Sequence, residues 1–108
     1  MRVEYTAPEE VRAVIANLGR TEDIRFSPDG KRLALAGFLK NRIALFDIGI
    51  SVGSPEKTIT LHSVSVLTSA SLQGPHGLDF IDNETLVVSN RNGGVSLFRL
   101  PPKSGGML

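Results

Sequence analysis

The sequence predicts an all-β fold made of two repeated units of antiparallel strands. Three observations lead to this prediction: part of the chain recurs after just over fifty residues, its apolar runs have the length of strands, and turn-forming residues separate them. The chain has 108 residues, of which 41% are hydrophobic and 21% are charged. This composition is typical of one globular domain and excludes collagen, coiled coil and wholesale disorder.

The repeat lies in residues 21–48 and 75–100. Ile24 and Phe26 match Leu78 and Phe80 at a spacing of 54. The spacing falls to 53 and then to 52 for the later apolar residues, which pair Leu33 with Leu86, Leu35 with Val88, Ile43 with Val95, Leu45 with Leu97 and Phe46 with Phe98. The drift falls in the turns, where changes of length are tolerated.

Each copy is predicted to form three short strands joined by tight turns. In the first copy, the turn Ser27–Gly30 follows Ile24–Phe26, since Pro presets φ, Asp bonds its own backbone and Gly accepts a positive φ. Arg32–Ala36 and Arg42–Ile48 are nearly continuous apolar runs, which predicts strands covered on both faces.

The second copy has the same order of strands. Thr85–Val88 and Val95–Phe98 flank the turn Asn90–Gly94. Ahead of this copy, Ser54–Val64 alternates and is rich in β-branched residues, which predicts another strand. Ala7–Val14 resembles the start of that segment at a spacing of 47, so the repeat predicts an outer strand there as well.

Residues 7–18 also have the pattern of a short helix. Thr6 and Glu9 form a capping-box pattern, and Gly19 is placed to end a helix. Four apolar residues fall on one helical face: Val11, Val14, Ile15 and Leu18. The periodicity therefore favours a helix and the repeat favours a strand, and we expect the strand.

Antiparallel four-stranded units of about 50 residues are what β-propeller blades require. Phe26–Ala34 resembles the inner hairpin of WD-repeat-like and lactonase-like propellers, and Leu45–Asp47 stands where WD repeats carry their Trp-Asp pair. Pro75–Phe80 and Leu86–Asn90 are similar to blades of NHL-like, gluconolactonase-like and lactonase-like propellers. The resemblance implies an incomplete propeller of about two blades.

The predicted organisation has five parts: an outer strand or short helix in 1–20, a first blade in 21–64, an interblade linker in 65–74, a three-stranded second blade in 75–100 and a tail in 101–108. Propellers have about 4 to 8 blades, so two blades cannot close a ring. We therefore expect a fragment whose remaining blades belong to the same longer chain. The alternative is a homo-oligomer, such as a trimer that forms a six-bladed ring.

Polar residues of the two inner strands are candidates for a ligand site. Arg25 and Asp79 occupy equivalent positions that would line the channel, where Arg25 suits a carboxylate or phosphate and Asp79 suits a cation. The same two residues could instead form an ion pair or a solvated rim. Asn90 and Asn92 lie beside permissive glycines and could line a ligand site, although turn formation alone accounts for them.

Glu22, Asp23, His76 and Asp79 lie at or near the starts of these strands. In gluconolactonase-like and lactonase-like propellers a divalent metal such as calcium lies on the channel axis, and the resemblance carries this role to Glu22, Asp79 and Asn90. His76 is the candidate general base for hydrolysis of a lactone or ester. The alternative for His76 is a structural hydrogen bond to the neighbouring blade.

Composition limits the partners. A net charge of +1 gives no footprint for nucleic acid, and no apolar run reaches the roughly 20 residues that span a bilayer. We expect a soluble chain with no signal peptide, cytoplasmic if Met1 is the native start. Common catalytic motifs are absent from the sequence, so the leading hypothesis is a binding or scaffold segment for a protein or small-molecule partner. The alternatives are part of a lactonase-like metal-dependent hydrolase and a self-assembling structural module.

Overall fold

The computed structural model describes residues 2–37, 40–52 and 56–101. Its elements in chain order are β1 Arg2–Thr6, α1 Glu9–Asn17, β2 Thr21–Phe26, β3 Arg32–Gly37, β4 Arg42–Val52, β5 Glu56–Leu67, β6 Pro75–Asp82, β7 Thr85–Asn90 and β8 Val95–Arg99. The strands form a five-stranded sheet in the order β1-β5-β4-β3-β2 and a three-stranded sheet in the order β6-β7-β8. Residues 102–108 of the predicted tail lie outside the described residues.

The first sheet contains the strands that the sequence predicts, arranged as an antiparallel meander from β2 to β5. One strand was not predicted. β1 pairs in parallel with β5, so that Tyr5 lies opposite Ile59 and the sheet is mixed. β5 runs to Leu67, so the connection to the second sheet is 68–74 and not 65–74.

The strand expected in residues 7–14 does not form; Glu9–Asn17 form helix α1 instead, which is the alternative that the periodicity favours. Val11 and Leu18 are fully buried against the first sheet, and Gly19 ends the helix with a φ of 75°. Val11 and Val14 would lie on opposite faces of a strand, whereas helical spacing turns both toward the sheet. The predicted capping box does not form, since Thr6 belongs to β1 and Pro8 is the N-cap.

The second sheet packs face to face on the first, with β6 against β2 and β3. The core between the sheets consists of Ala34, Ala36, Ile43, Leu45, Leu72, Leu78, Leu86, Val88 and Leu100. A second cluster lies between the first sheet and α1, and consists of Val11, Leu18, Leu33, Ala44, Phe46, Ile48 and Leu61. β3 and the first half of β4 are therefore covered on both faces, as their apolar runs predict.

The connection between the sheets is fixed by two asparagine side chains. Asn41 accepts a hydrogen bond from the Gly74 N–H at 2.7 Å, and Asn90 accepts one from the Gln73 N–H at 2.9 Å. The two sheets alone do not enclose a channel. Within the described part of the chain, no helix has the length and apolar composition needed to cross a bilayer.

Candidate functional site

Glu22, at the start of β2, is the centre of a charged cluster that also contains Arg20, His76 and Arg91. Its side chain is only 12% exposed. The Oε1 atom lies 3.4 Å from Nδ1 of His76 and 3.5 Å from a guanidinium nitrogen of each arginine. His76 is the second residue of β6 and Arg91 follows β7, so one carboxylate joins both sheets at this end of the molecule.

The contacts to Glu22 Oε1 are electrostatic, since none of them has the geometry of a hydrogen bond and the atom is buried without one. The three basic side chains that face Glu22 Oε1 are about half exposed. Basic groups within 3.5 Å of this oxygen disfavour a cation at the same place. The predicted metal ligand Glu22 therefore lies in surroundings unsuited to calcium.

Asp23 and Arg25 clamp the backbone of the second sheet at one residue. The Leu78 N–H donates to Asp23 Oδ2 at 2.9 Å, and Arg25 Nε donates to the Leu78 carbonyl at 3.1 Å. β6 is an edge strand, so these side chains satisfy peptide groups that its sheet leaves unpaired. We call this arrangement the Leu78 clamp.

Arg25 and Asp79 line one open groove of about 260 Å³. Their expected ion pair does not form. Arg25 approaches Asp23 at 3.7 Å, and Asp79 accepts a hydrogen bond from the Phe80 N–H at 2.9 Å. Both side chains are exposed, which corresponds to the solvated rim that the sequence left as an alternative.

Asn90 is buried, and its carboxamide bonds to the protein on both sides. Besides the bond from Gln73, its Nδ2 lies 3.1 Å from the Ser96 Oγ and donates to it. Asn92 is exposed in the turn and its N–H donates to the Gln73 carbonyl. These contacts hold the connection between the sheets, which accounts for both residues without a ligand.

The three predicted metal ligands do not share one site. Glu22 contacts the start of β6, whereas Asp79 lies three residues further on, about 10 Å along a strand, and lines the groove beside Arg25. Asn90 is occupied by its own hydrogen bonds. Among the described residues, no group of three or more His, Cys, Asp and Glu side chains could hold a metal ion.

The first sheet also has an exposed apolar face, which lies on the side of α1. Ile24 and Phe26 on β2 are 52% and 50% exposed. Beside the helix this face forms a groove of about 300 Å³, lined by Tyr5, Ile15, Ile24, Leu33, Leu35, Phe46, Ile59 and Leu61. We call the β2 and β3 part of this surface, with Ile24, Phe26, Leu33 and Leu35, the first open face.

The second sheet has a corresponding surface on the side away from the first sheet. Val95 and Leu97 on β8 are 66% and 67% exposed, and Val87 lies opposite Leu97 in the ladder. We call these three residues the second open face. The large apolar side chains that are exposed in the described residues lie on these two sides of the molecule: Tyr5, Ile24, Phe26, Ile50 and Val66 on the first sheet, and Ile81, Val95 and Leu97 on the second.

Sequence reasoning brought Glu22 and His76 together but missed their partners Arg20 and Arg91, and it passed over the role of Asp23. One signal for Asp23 was available. The first copy has Asp23 and Arg25 on either side of Ile24, while the second copy has Gly77 and Asp79 at the matching positions. Only the first copy therefore has the side chains that can bond the backbone of a neighbouring strand in this way.

Comparisons with known proteins found no matching family model, no matching curated protein and no matching solved structure.

Proposed function

We propose that this chain is a propeller-type binding module that docks the β-sheet of a protein partner on its first open face. Two stacked sheets related by a sequence repeat, the first with four antiparallel strands in meander order, support the comparison with blades. In a repeat architecture each unit buries its faces on its neighbours. A unit whose apolar face is left partly uncovered, as at Ile24 and Phe26, is therefore equipped to receive another unit.

One observation carries the proposal. The second sheet packs on the first through Leu78, Leu86 and Val88, with Phe80 partly buried beside them. The repeat-equivalent residues of the first sheet are Ile24, Leu33, Leu35 and Phe26, which form the first open face. Of these equivalent residues, Ile24 and Phe26 on β2 are half exposed, while Leu33 and Leu35 on β3 border them beside α1 and are buried or partly buried.

The energetic gain from covering this face is appreciable. Full burial of an Ile or Phe side chain contributes about 1.5 to 3 kcal/mol, so covering the exposed half of each contributes roughly 1 kcal/mol. Ile24 and Phe26 are neighbours on one side of β2, and Leu33 and Leu35 lie directly opposite them on β3. A continuous apolar surface of this kind is typical of protein interaction sites.

The hydrolase alternative receives no comparable support from the geometry. Its acid and amide ligands lie apart, and Glu22 is surrounded by basic side chains. His76 is used in the contact with Glu22 that joins the two sheets.

The accessible face is tested with 1-anilinonaphthalene-8-sulfonate as an apolar probe of the dilute, folded chain. We expect saturable fluorescence enhancement with the native chain. Ile24→Glu should weaken the dye affinity by on the order of tenfold, because a charge then stands in the groove. The matched control Ala70→Glu places the same charge in an exposed turn and should bind dye as the native chain does.

All three proteins carry Leu97→Glu in this assay, which suppresses dye binding at the second open face. Equal dye binding by the three proteins would then contradict the proposal, since the groove would not be the accessible apolar site. Far-ultraviolet circular dichroism and the urea midpoint establish that each variant is folded. Phe26→Glu is a second variant on the same face and should give the same loss.

A further inference from the structure

We propose that the partner received by the first open face is the second open face of another copy of this chain, so that copies stack head to tail. This inference rests on the proposed function and specifies its partner. The first open face of one copy then binds the second open face of the next copy.

The packing inside the molecule is the template for this contact. On the first sheet, the face covered by the second sheet carries Ala34, Ile43 and Leu45, all of which are 0% exposed. The repeat places Val87, Val95 and Leu97 at the equivalent positions of the second sheet. The second open face therefore repeats the surface on which a sheet already packs within the chain.

Both sides of the contact are thus present in one molecule at opposite ends. The first open face matches the packing face of the second sheet, and the second open face matches the receiving face of the first sheet. Such a contact joins two different surfaces, so it is heterologous and propagates until a ring closes. Contact between two first open faces would not reproduce the observed packing.

Helix α1 leaves room for this arrangement. It covers part of the same side of the first sheet, but Ile24 and Phe26 remain half exposed beside it. Inside the molecule β6 contacts β2 and β3, and β7 adds Leu86 and Val88 to the core. The helix covers their equivalents Leu33 and Leu35 in part, so the contact between copies is centred on β2, where Ile24 and Phe26 are half exposed.

The polar part of the internal contact is not repeated. The Leu78 clamp depends on Asp23 and Arg25, and the second sheet has Gly77 and Asp79 at these positions. Gly77 has no side chain to accept a hydrogen bond, and the Asp79 carboxylate cannot donate one, to the backbone at Ile24 of the other copy. Apolar contacts therefore dominate the association between copies, and added salt should weaken it little.

Sedimentation velocity of the 108-residue chain over a range of concentrations tests the inference. We expect the native chain to associate, with a closed ring of three copies giving a mass near three times 11.6 kDa. Ile24→Glu and Leu97→Glu should each reduce self-association by at least tenfold, because each buries a charge in the same contact from opposite sides. Ala70→Glu should associate as the native chain does.

Mixing the two variants gives the decisive result. Ile24→Glu retains an intact second open face and Leu97→Glu retains an intact first open face. An equimolar mixture should therefore form a dimer with one chain of each variant and no larger species. Native mass spectrometry identifies its composition when one variant is labelled uniformly with nitrogen-15, because unlabelled Ile24→Glu and Leu97→Glu chains have the same mass.

Two results would overturn this inference while the proposed function stands. If the native chain stays monomeric at all concentrations but binds dye at the first open face, the partner is a different protein. If Leu97→Glu associates normally and Ile24→Glu does not, first open faces pair with each other. Phe26→Glu and Val95→Glu repeat the test at neighbouring exposed positions, so that a single misfolded variant does not decide the outcome.

Discussion

The carboxylate of Asp23 accepts a hydrogen bond from the N–H of Leu78 at 2.9 Å and so ties the inner edge strand of one sheet to that of the other. The same carboxylate accepts the N–H of Ile24 at 2.8 Å. One side chain therefore caps its own strand and holds the neighbouring sheet. The contact lies next to the first open face, although Asp23 itself faces the second sheet.

We expect Asp23→Ala to lower the free energy of unfolding by about 1 to 3 kcal/mol, because it leaves the N–H of the buried Leu78 without its acceptor. Urea unfolding measures the effect. Asp79→Ala is the matched control, since Asp79 also bonds the N–H of the next residue but makes no bond across the sheets. Equal losses for both variants would show that the cross-sheet bond contributes nothing.

Glu22→Gln should destabilise the fold by about 1 to 3 kcal/mol, because the largely buried carboxylate faces the guanidinium groups of Arg20 and Arg91 at 3.5 Å. The loss should shrink when salt is added, since screening weakens the repulsion that remains. The comparison variant is Glu84→Gln, whose partner Arg99 lies 3.9 Å away on the exposed surface. That variant should change stability by less than about 0.5 kcal/mol, and a similar loss for Glu22→Gln would refute the role of the cluster.

Gly30→Val should cost about 1 to 3 kcal/mol through backbone strain. Gly30 has a φ of 72°, and an added Cβ would meet no atom within 4 Å, so the penalty arises from conformation and not from a clash. Gly30→Asn should cost less, because Asn is enriched among residues with positive φ. Thermal unfolding of both variants tests this, and equal stability of Gly30→Val and the native chain would contradict the hairpin geometry.

Acid should remove a stabilising contribution of Asp29. The Ser27 hydroxyl and then the Lys31 N–H donate to its carboxylate and lower the pKa of Asp29 below its ordinary value. A lowered pKa in the folded state gives stability that is present above the unfolded value of about 3.9 and is lost as the pH falls through the folded value. The Asp29 carboxyl is exposed, so the effect is small.

Urea midpoints at pH 7 and near pH 3 measure this contribution. The native chain should be more stable than Asp29→Asn at pH 7, and the difference should narrow below about pH 4. Asp82→Asn offers a parallel case in the equivalent turn, because the Glu84 N–H lowers the pKa of Asp82 in the same way. A difference between native chain and Asp29→Asn that is independent of pH would contradict the assignment.

Local chemistry explains how much of this fold the sequence predicts. The turn at Gly30 and the strands on either side are specified by neighbouring residues, and the structure forms them as expected. Helix α1 was predicted only as the alternative to a strand, because the resemblance to a later strand outweighed the helical spacing of Val11 and Val14. β1 was missed because its partner on β5 lies 54 residues away, and no local pattern records such a pairing.

The candidate site divides in the same way. Glu22 and His76 were predicted to lie together because each stands at the start of an inner strand. Arg20 and Arg91 lie in the segments beside those strands, and the direction of a long side chain is set by the tertiary packing. The exposure of Ile24 was not predicted, since it depends on which part of the first sheet α1 covers.

The parallel pairing of β1 with β5 bears on the order in which the chain folds. Consecutive strands from β2 to β5 pair with one another, so their contacts form between residues close in sequence. β1 must wait for β5, which closes a loop of about fifty residues at a larger entropic cost. We expect its amide protons to be the last in the first sheet to gain protection in pulse-labelled hydrogen exchange, with simultaneous protection of β1 and β3 as the contrary result.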